Sequence, residues 1–423
     1  MRLLGLSMLA CSFVVFGGER QEAMVHLAPD VVLSESFLAQ MQTQEKTRDE
    51  DSYLESGEVP EEPHLGALEK ESPYISGIAH LIQNFYAVST GDLLFVMDME
   101  TGKDVKLLFD ASRKKDAWIT SIAAFSFQGK VYLVSGSRDG NGRIWNPATG
   151  ECIQRLPEKK RNGVDSLSTF THEGKPYVAA GYYDGMIRIW DPMKGECIAC
   201  LRGHTGRVTA LASGALENGA LPYLVSGSYD DTVRVWEPFT GACTQILLGH
   251  QGFITAVTAI SYQETVYAIS AGSYDRTLCM WDISTGELVK KWMGHTSAIY
   301  QVDSFLHEDE VYIVSAGSVG KDRGVHVWKW SRNTQRRWWQ MKFTTSSVSL
   351  AMKLPPPKSW VSSFASVKRG QERYLLVNSQ DGVSTLWKLG SKKMVSTRSP
   401  FFHFNLKKKC LSTQQSSQNE LEL

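Results

Sequence analysis

Four stretches of the chain read as copies of one another: SGSRDGNGRIWNPATGECI from Ser135, AGYYDGMIRIWDPMKGECI from Ala180, SGSYDDTVRVWEPFTGACT from Ser226 and AGSYDRTLCMWDISTGELV from Ala271. Their shared chemistry is that of short strands joined by tight turns. Thr232-Val233-Arg234-Val235-Trp236 is β-branched and aromatic, which suits a pleated strand. Ser228-Tyr229-Asp230-Asp231 before it is turn chemistry. Glu237-Pro238-Phe239-Thr240-Gly241 after it sets one φ with proline and ends on a glycine that can take φ > 0. Asn146-Pro147-Ala148-Thr149-Gly150 and Asp191-Pro192-Met193-Lys194-Gly195 repeat that solution. Strand, turn, strand, turn predicts an antiparallel meander and not a helix.

Weaker copies extend the series: AGSVGKDRGVHVWKW from Ala316, NSQDGVSTLWKLG from Asn378 and VSTGDLLFVMDMETG from Val88. The aligned positions are Met97, Trp145, Trp190, Trp236, Trp281, Trp328 and Trp387, spaced 48, 45, 46, 45, 47 and 59 residues apart. A single small sheet cannot bury both faces, but stacking it between two neighbours does, and closing the ring leaves no flank exposed. A period near 45 with a terminal Trp-Asp predicts four-stranded propeller blades. Seven copies predict an all-β, seven-bladed β-propeller of four-stranded antiparallel blades over residues 73–390.

On these residues the chain resembles the WD-repeat family. Gly203-His204, Gly249-His250 and Gly294-His295 open repeats as the family pattern requires. The resemblance implies a buried relay of His, strand hydroxyl, turn Asp and Trp, matched by His204, Ser226, Asp230 and Trp236. His250, Asp275 and Trp281 match it with Ala271 in the hydroxyl's place. The turn Asp stands six residues before the Trp at Asp139, Asp184, Asp230, Asp275, Asp322 and Asp381. The first repeat departs, with Gly91 for the Asp and Met97 for the Trp, and Gly320 disturbs the sixth turn. Family rings are commonly sealed by a strand from one terminus; 24–33 and 392–397 are the candidates.

Formal net charge is zero, so global charge selects neither nucleic acid nor an anionic membrane. Residues 42–72 carry ten acids against three bases, and with few large apolar residues the region 19–72 is expected to be disordered. The tail 391–423 carries six bases against two acids, and its Ser- and Gln-rich end, 411–423, is expected to be disordered too. The apolar run 3–16 after Arg2 resembles a signal-peptide core but is too short to span a bilayer. The seven cysteines form no disulfide framework and no asparagine heads a glycosylation sequon, which favours a cytoplasmic or nuclear chain over a secreted one. Cys197 and Cys200 form a C-x-x-C without a second such pair or a nearby His, and are read as strand residues. The last interval, with Trp338-Trp339 and Pro355-Pro356-Pro357, reads as a long surface loop.

No catalytic motif emerges. Histidines and aspartates recurring every 45 residues lie in different blades and cannot converge on one metal or one reaction. There is no G-x-S-x-G, no H-E-x-x-H and no EF-hand loop, so neither enzyme nor cofactor nor metal is expected. Met193 and Ser284 stand where ligase-docking relatives carry Arg, so that docking motif is absent.

The resemblance places two rings of residues on the top face. One reads Tyr74, Trp118, Gly163, Arg207, Phe253, Ala298 and Trp360; the other reads Arg138, Tyr183, Tyr229, Tyr274 and Gln380. Seven of these twelve are aromatic and two are arginine, the types that dominate interface hot spots. The sequence therefore predicts a non-catalytic scaffold or adaptor that docks proteins or peptides on this face. A secreted module that reads peptide or carbohydrate, and a propeller-bodied enzyme, are the alternatives.

Overall fold

The computed structural model describes residues 14–15, 75–82, 85–90, 93–98, 104–108, 118–157, 162–215, 222–317, 324–336, 342–355, 357, 361–369, 372–379, 384–389 and 393–398. Every regular element among them is a strand. The strands form seven sheets, which we number in chain order: 75–108, 119–156, 164–201, 208–247, 254–293, 299–353 and 361–398. Six have four strands; the fifth sheet has five, because Val14–Val15 lies parallel to its first strand, Ile254–Tyr262. The expectation of four strands in every blade is corrected there.

Each sheet is a meander of four consecutive strands. The first strands stand side by side around the axis, and the ring closes where Ile75–Ile82 meets Val361–Arg369. Among the described residues no strand is exchanged between the first and last sheets. Lys393–Arg398 is the outer strand of its own sheet, paired with Ser384–Lys388, whereas 24–33 lies outside the described residues. Met97 holds the register position of the tryptophans, each of which sits at the same bulge against the outer strand.

The local chemistry explains the repeat. Gly150, Gly195, Gly241 and Gly286 all end their turns with φ between 73° and 82°. Asn146 and Asp191 accept the amide two residues on, which fixes each turn's entry. The core is divided among the spaces between sheets. Phe170, Ile189, Leu201, Leu211, Leu224 and Trp236, for instance, are buried between sheets three and four. Hydroxyls tie neighbouring inner strands together: Thr120, Thr209 and Thr255 each donate Oγ1 to a carbonyl of the next sheet at 2.5 Å. Between sheets six and seven, Gln301 donates to the Phe364 carbonyl and accepts its amide, both at 3.1 Å.

The long last interval is not simply a surface loop. Val325–Arg336 and Lys342–Lys353 pair along their length and extend sheet six. KFTTSSVSLAMK is rich in β-branched and hydroxyl residues, which suit a strand. Trp338 and Trp339 lie outside the described residues.

Candidate functional site

The relay residues come together inside sheets four and five. Trp236 Nε1 donates to Ser226 Oγ at 2.8 Å, the hydroxyl meets His204 Nε2 at 2.7 Å, and His204 Nδ1 meets Asp230 Oδ2 at 2.8 Å. In sheet five the corresponding distances are all 2.8 Å, but the hydroxyl is Ser270. Ala271 does not replace it. The hairpin there is one residue longer, SAGSYD against SGSYD, and Ser270 keeps the register position, two residues past the tryptophan's partner Ala268 and opposite Cys279, as Ser226 lies two past Leu224 and opposite Arg234. Burial would raise the Asp230 and Asp275 carboxyls, but hydrogen bonds from His204 and His250, together with the histidines' charge and the nearby amides, outweigh it and hold both well below the usual range. These groups bond to one another within each sheet, and the two sets lie in separate sheets.

Sheets two and three hold the same turn aspartate without a histidine. Arg143 pairs with Asp139 at 2.9 Å, and Arg188 pairs with Asp184 at 3.0 Å. Trp145 Nε1 still donates to Ser135 Oγ at 2.9 Å, whereas Ala180 takes that place in sheet three and Trp190 Nε1 has no partner among the described residues. In sheet six His295 and Trp328 share Ser315 Oγ at 2.9 Å; Asp322, like Asp381, lies outside the described residues.

Backbone hydrogen bonds join the two sets of residues, in sheet five through Ser273 beside Tyr274. Arg138 N donates to Trp118 O, Tyr183 N to Gly163 O, Tyr229 N to Arg207 O and Ser273 N to Phe253 O, at 2.9–3.1 Å. The side chains then interleave. The Arg138 guanidinium lies 5.3 Å from the Trp118 ring, that of Arg207 lies 3.9 Å from Tyr183 and 5.1 Å from Tyr229. Tyr229 stacks on Phe253 at 4.4 Å, and Phe253 meets the edge of Tyr274 at 4.9 Å. Arg138 also hydrogen-bonds the Tyr183 side chain. Seven side chains thus form one row across sheets two to five. Gly163 contributes no side chain, and a Cβ there would lie 2.9 Å from the Tyr183 ring. The row is exposed: Tyr274 by 69%, Tyr229 by 39% and Trp118 by 36%. Tyr74, Trp360 and Gln380 lie outside the described residues, and Ala298 is half-buried without joining the row.

One member of this site is invisible in the motif. Asp165 stands where the neighbouring inner strands carry Thr120, Thr209 and Thr255, and cannot donate as they do; Ser166 Oγ takes over at 3.1 Å to Val208 O. Instead Asp165 accepts Arg207 Nε at 3.0 Å and fixes that guanidinium between the two tyrosines. Burial pushes its carboxyl up to about 6 against the opposing pull of Arg207. A carboxylate at a position that threonine occupies in sheets two, four and five is the sequence signal that could have found it.

The family model for the WD domain, G-beta repeat, matches residues 107–146, 150–191, 195–237, 241–282 and 286–329. The chain belongs to the WD40-repeat family. The matched windows are those that carry the tryptophan, from Trp145 to Trp328; the degenerate Met97 repeat and the Trp387 repeat lie outside them. No curated protein matches the chain. Among solved structures, a computationally designed protein, Ika8, is similar at 26% identity, with a TM-score of 0.53, over 78% of this WD40-repeat chain and 87% of that one. A chain of the Mitotic Checkpoint Complex shares the fold at 18% identity and a TM-score of 0.59, covering 74% of this chain and 90% of that one.

Proposed function

We propose that this WD40-repeat protein is a non-catalytic scaffold that docks a protein or peptide on the row from Trp118 to Tyr274. In this reading the five-stranded fifth sheet also counts as a blade, its extra strand added to a complete four-stranded unit, which makes seven blades in all. The observation that carries the proposal is the row itself: exposed aromatics held in place by arginines and by their neighbours, on one face. Such rings offer large contact area at small entropic cost, because packing has already fixed their rotamers. Tyr274 and Trp118 suit the role of anchors, being the ends of the row. Tyr229 is partly structural, since it stacks on Phe253 and covers Arg207.

The test is quantitative affinity purification with the full chain. Trp118→Ala with Tyr274→Ala should lower recovery of bound proteins at least tenfold, as loss of hot-spot anchors does. Leu350→Ala, an exposed apolar side chain on the outer strand of sheet six, serves as the control and should leave recovery unchanged. Equal recovery from both variants would sink the reading.

A further inference from the structure

Cys197 and Cys200 both lie on Glu196–Leu201, the outermost strand of sheet three. In a regular strand, residues three apart point to opposite faces. Here the pairing slips: Trp190 is opposite Cys197 while Ile189 is opposite Ala199, so Ile198 is an extra residue. The bulge returns Cys200 to the side of Cys197 and leaves the sulfurs 3.8 Å apart, with both residues exposed. The same bulge recurs in sheets two and four, at Cys152 and Cys243, but Arg155 and Ile246 hold the second position there. Sheet three alone among these carries a pair. Among the described residues no group of three or more potential ligands gathers anywhere, so the pair is not part of a preformed metal centre.

We propose that Cys197 and Cys200 are a dithiol modification site, which a small-molecule disulfide of the glutathione type converts to an intrastrand disulfide. The thiolate of Cys200 attacks one sulfur of oxidised glutathione, forms a mixed disulfide and releases one glutathione thiolate. Cys197 then loses its proton to solvent, attacks the Cys200 sulfur and expels the second glutathione. The protein pair loses two electrons and two protons, and one oxidised glutathione becomes two reduced ones. Closing the bond brings the sulfurs from 3.8 Å to about 2.05 Å. Burial and the adjacent Cys200 both push the Cys197 thiol up, to about 12. The part due to Cys200 disappears once that sulfur is held in the mixed disulfide, which favours the second step.

Trypsin cuts after Lys194 and Arg202, so both cysteines fall on one peptide, 195–202. The full chain is incubated with oxidised glutathione, its free thiols are alkylated, and the digest is analysed without reduction. The peptide should be lighter by two hydrogens than the reduced form and carry neither alkyl group nor glutathione. In Cys197→Ser the same peptide should retain glutathione on Cys200. Peptides of Cys152 and Cys243 should show only mixed disulfides. A wild-type peptide that stays doubly alkylated while Cys152 reacts overturns the proposal, as does one that keeps its glutathione.

Discussion

Sheets four and five hold their turn aspartate with a histidine, and sheets two and three hold theirs with an arginine. The aspartate is placed alike in all four: in every case the amide two residues on donates to the carboxylate, at 2.9–3.1 Å. What differs is depth. His204 and Asp230 are 0% and 7% exposed at their side chains, against 10% and 20% for Arg188 and Asp184. The histidine reaches inward to the serine and tryptophan and locks the outer connection to the sheet, whereas the arginine folds back on its own hairpin. A family motif can therefore lose its histidine without losing its turn, provided a cation replaces it two residues before the tryptophan.

The comparison breaks most readily at the aspartate. Asp230→Ala removes the partner of a buried histidine and of Thr205 N and Thr232, and should cost about 3 kcal/mol. Asp184→Ala removes a pair nearer the solvent and should cost about 1 kcal/mol or less. Urea unfolding of the two variants measures both. Equal losses would mean that the histidine relay adds nothing over the arginine pair. Because each sheet contacts only its neighbours, hydrogen exchange should show the Asp230→Ala loss concentrated in sheets three to five.

A smaller effect sharpens the comparison within sheet three. Ala180 pairs with Arg188 as Ser135 pairs with Arg143, and Trp190 Nε1 is buried without a hydrogen-bond partner among the described residues. Ala180→Ser should supply the missing acceptor and stabilise the protein by about 1 kcal/mol, read as a rise in the urea midpoint. Destabilisation would show that the space around Ala180 rejects even one oxygen.

The parts of the molecule legible in sequence are those encoded locally. Turns such as Asn146–Gly150, alternating strands and the recurring tryptophan each depend on residues within a few positions of one another. The parts that escaped depend on register or on the next sheet. Ser270 was hidden because matching Gly-Ser-Tyr-Asp to Gly-Ser-Tyr-Asp aligns Ala271 with Ser226, whereas the hydrogen bond follows the strand pairing. Asp165 gains its meaning from Arg207 in the adjacent sheet, 42 residues away. Cys197 and Cys200 meet only because a bulge reverses the facing of one of them. The paired extension of sheet six required the knowledge that Val325–Arg336 continues past its tryptophan.

The smallest effect is a matter of pH, and it separates the turn aspartates from those of the inner strands. Asp230 and Asp275 have carboxyls held below the ordinary range, so the stability they contribute is present above about pH 4 and is lost only as pH falls toward their lowered values. Asp303, on the inner strand Ile299–His307, behaves oppositely: burial raises it to about 7, against Ser304 N and Arg373. In the folded chain it keeps a proton that the unfolded chain has already released, so stability should decline as pH rises from about 4 to 7. Asp165, raised to about 6, adds to the same decline. Asp303→Asn removes the proton exchange at that site, and its melting temperature should fall less between pH 5 and pH 7 than that of the wild type. Asp230→Asn should leave that window unchanged and shift only the acid limb. If Asp303→Asn keeps the full wild-type slope, the inner-strand carboxylates do not govern this window, and the turn and inner-strand aspartates differ in position alone.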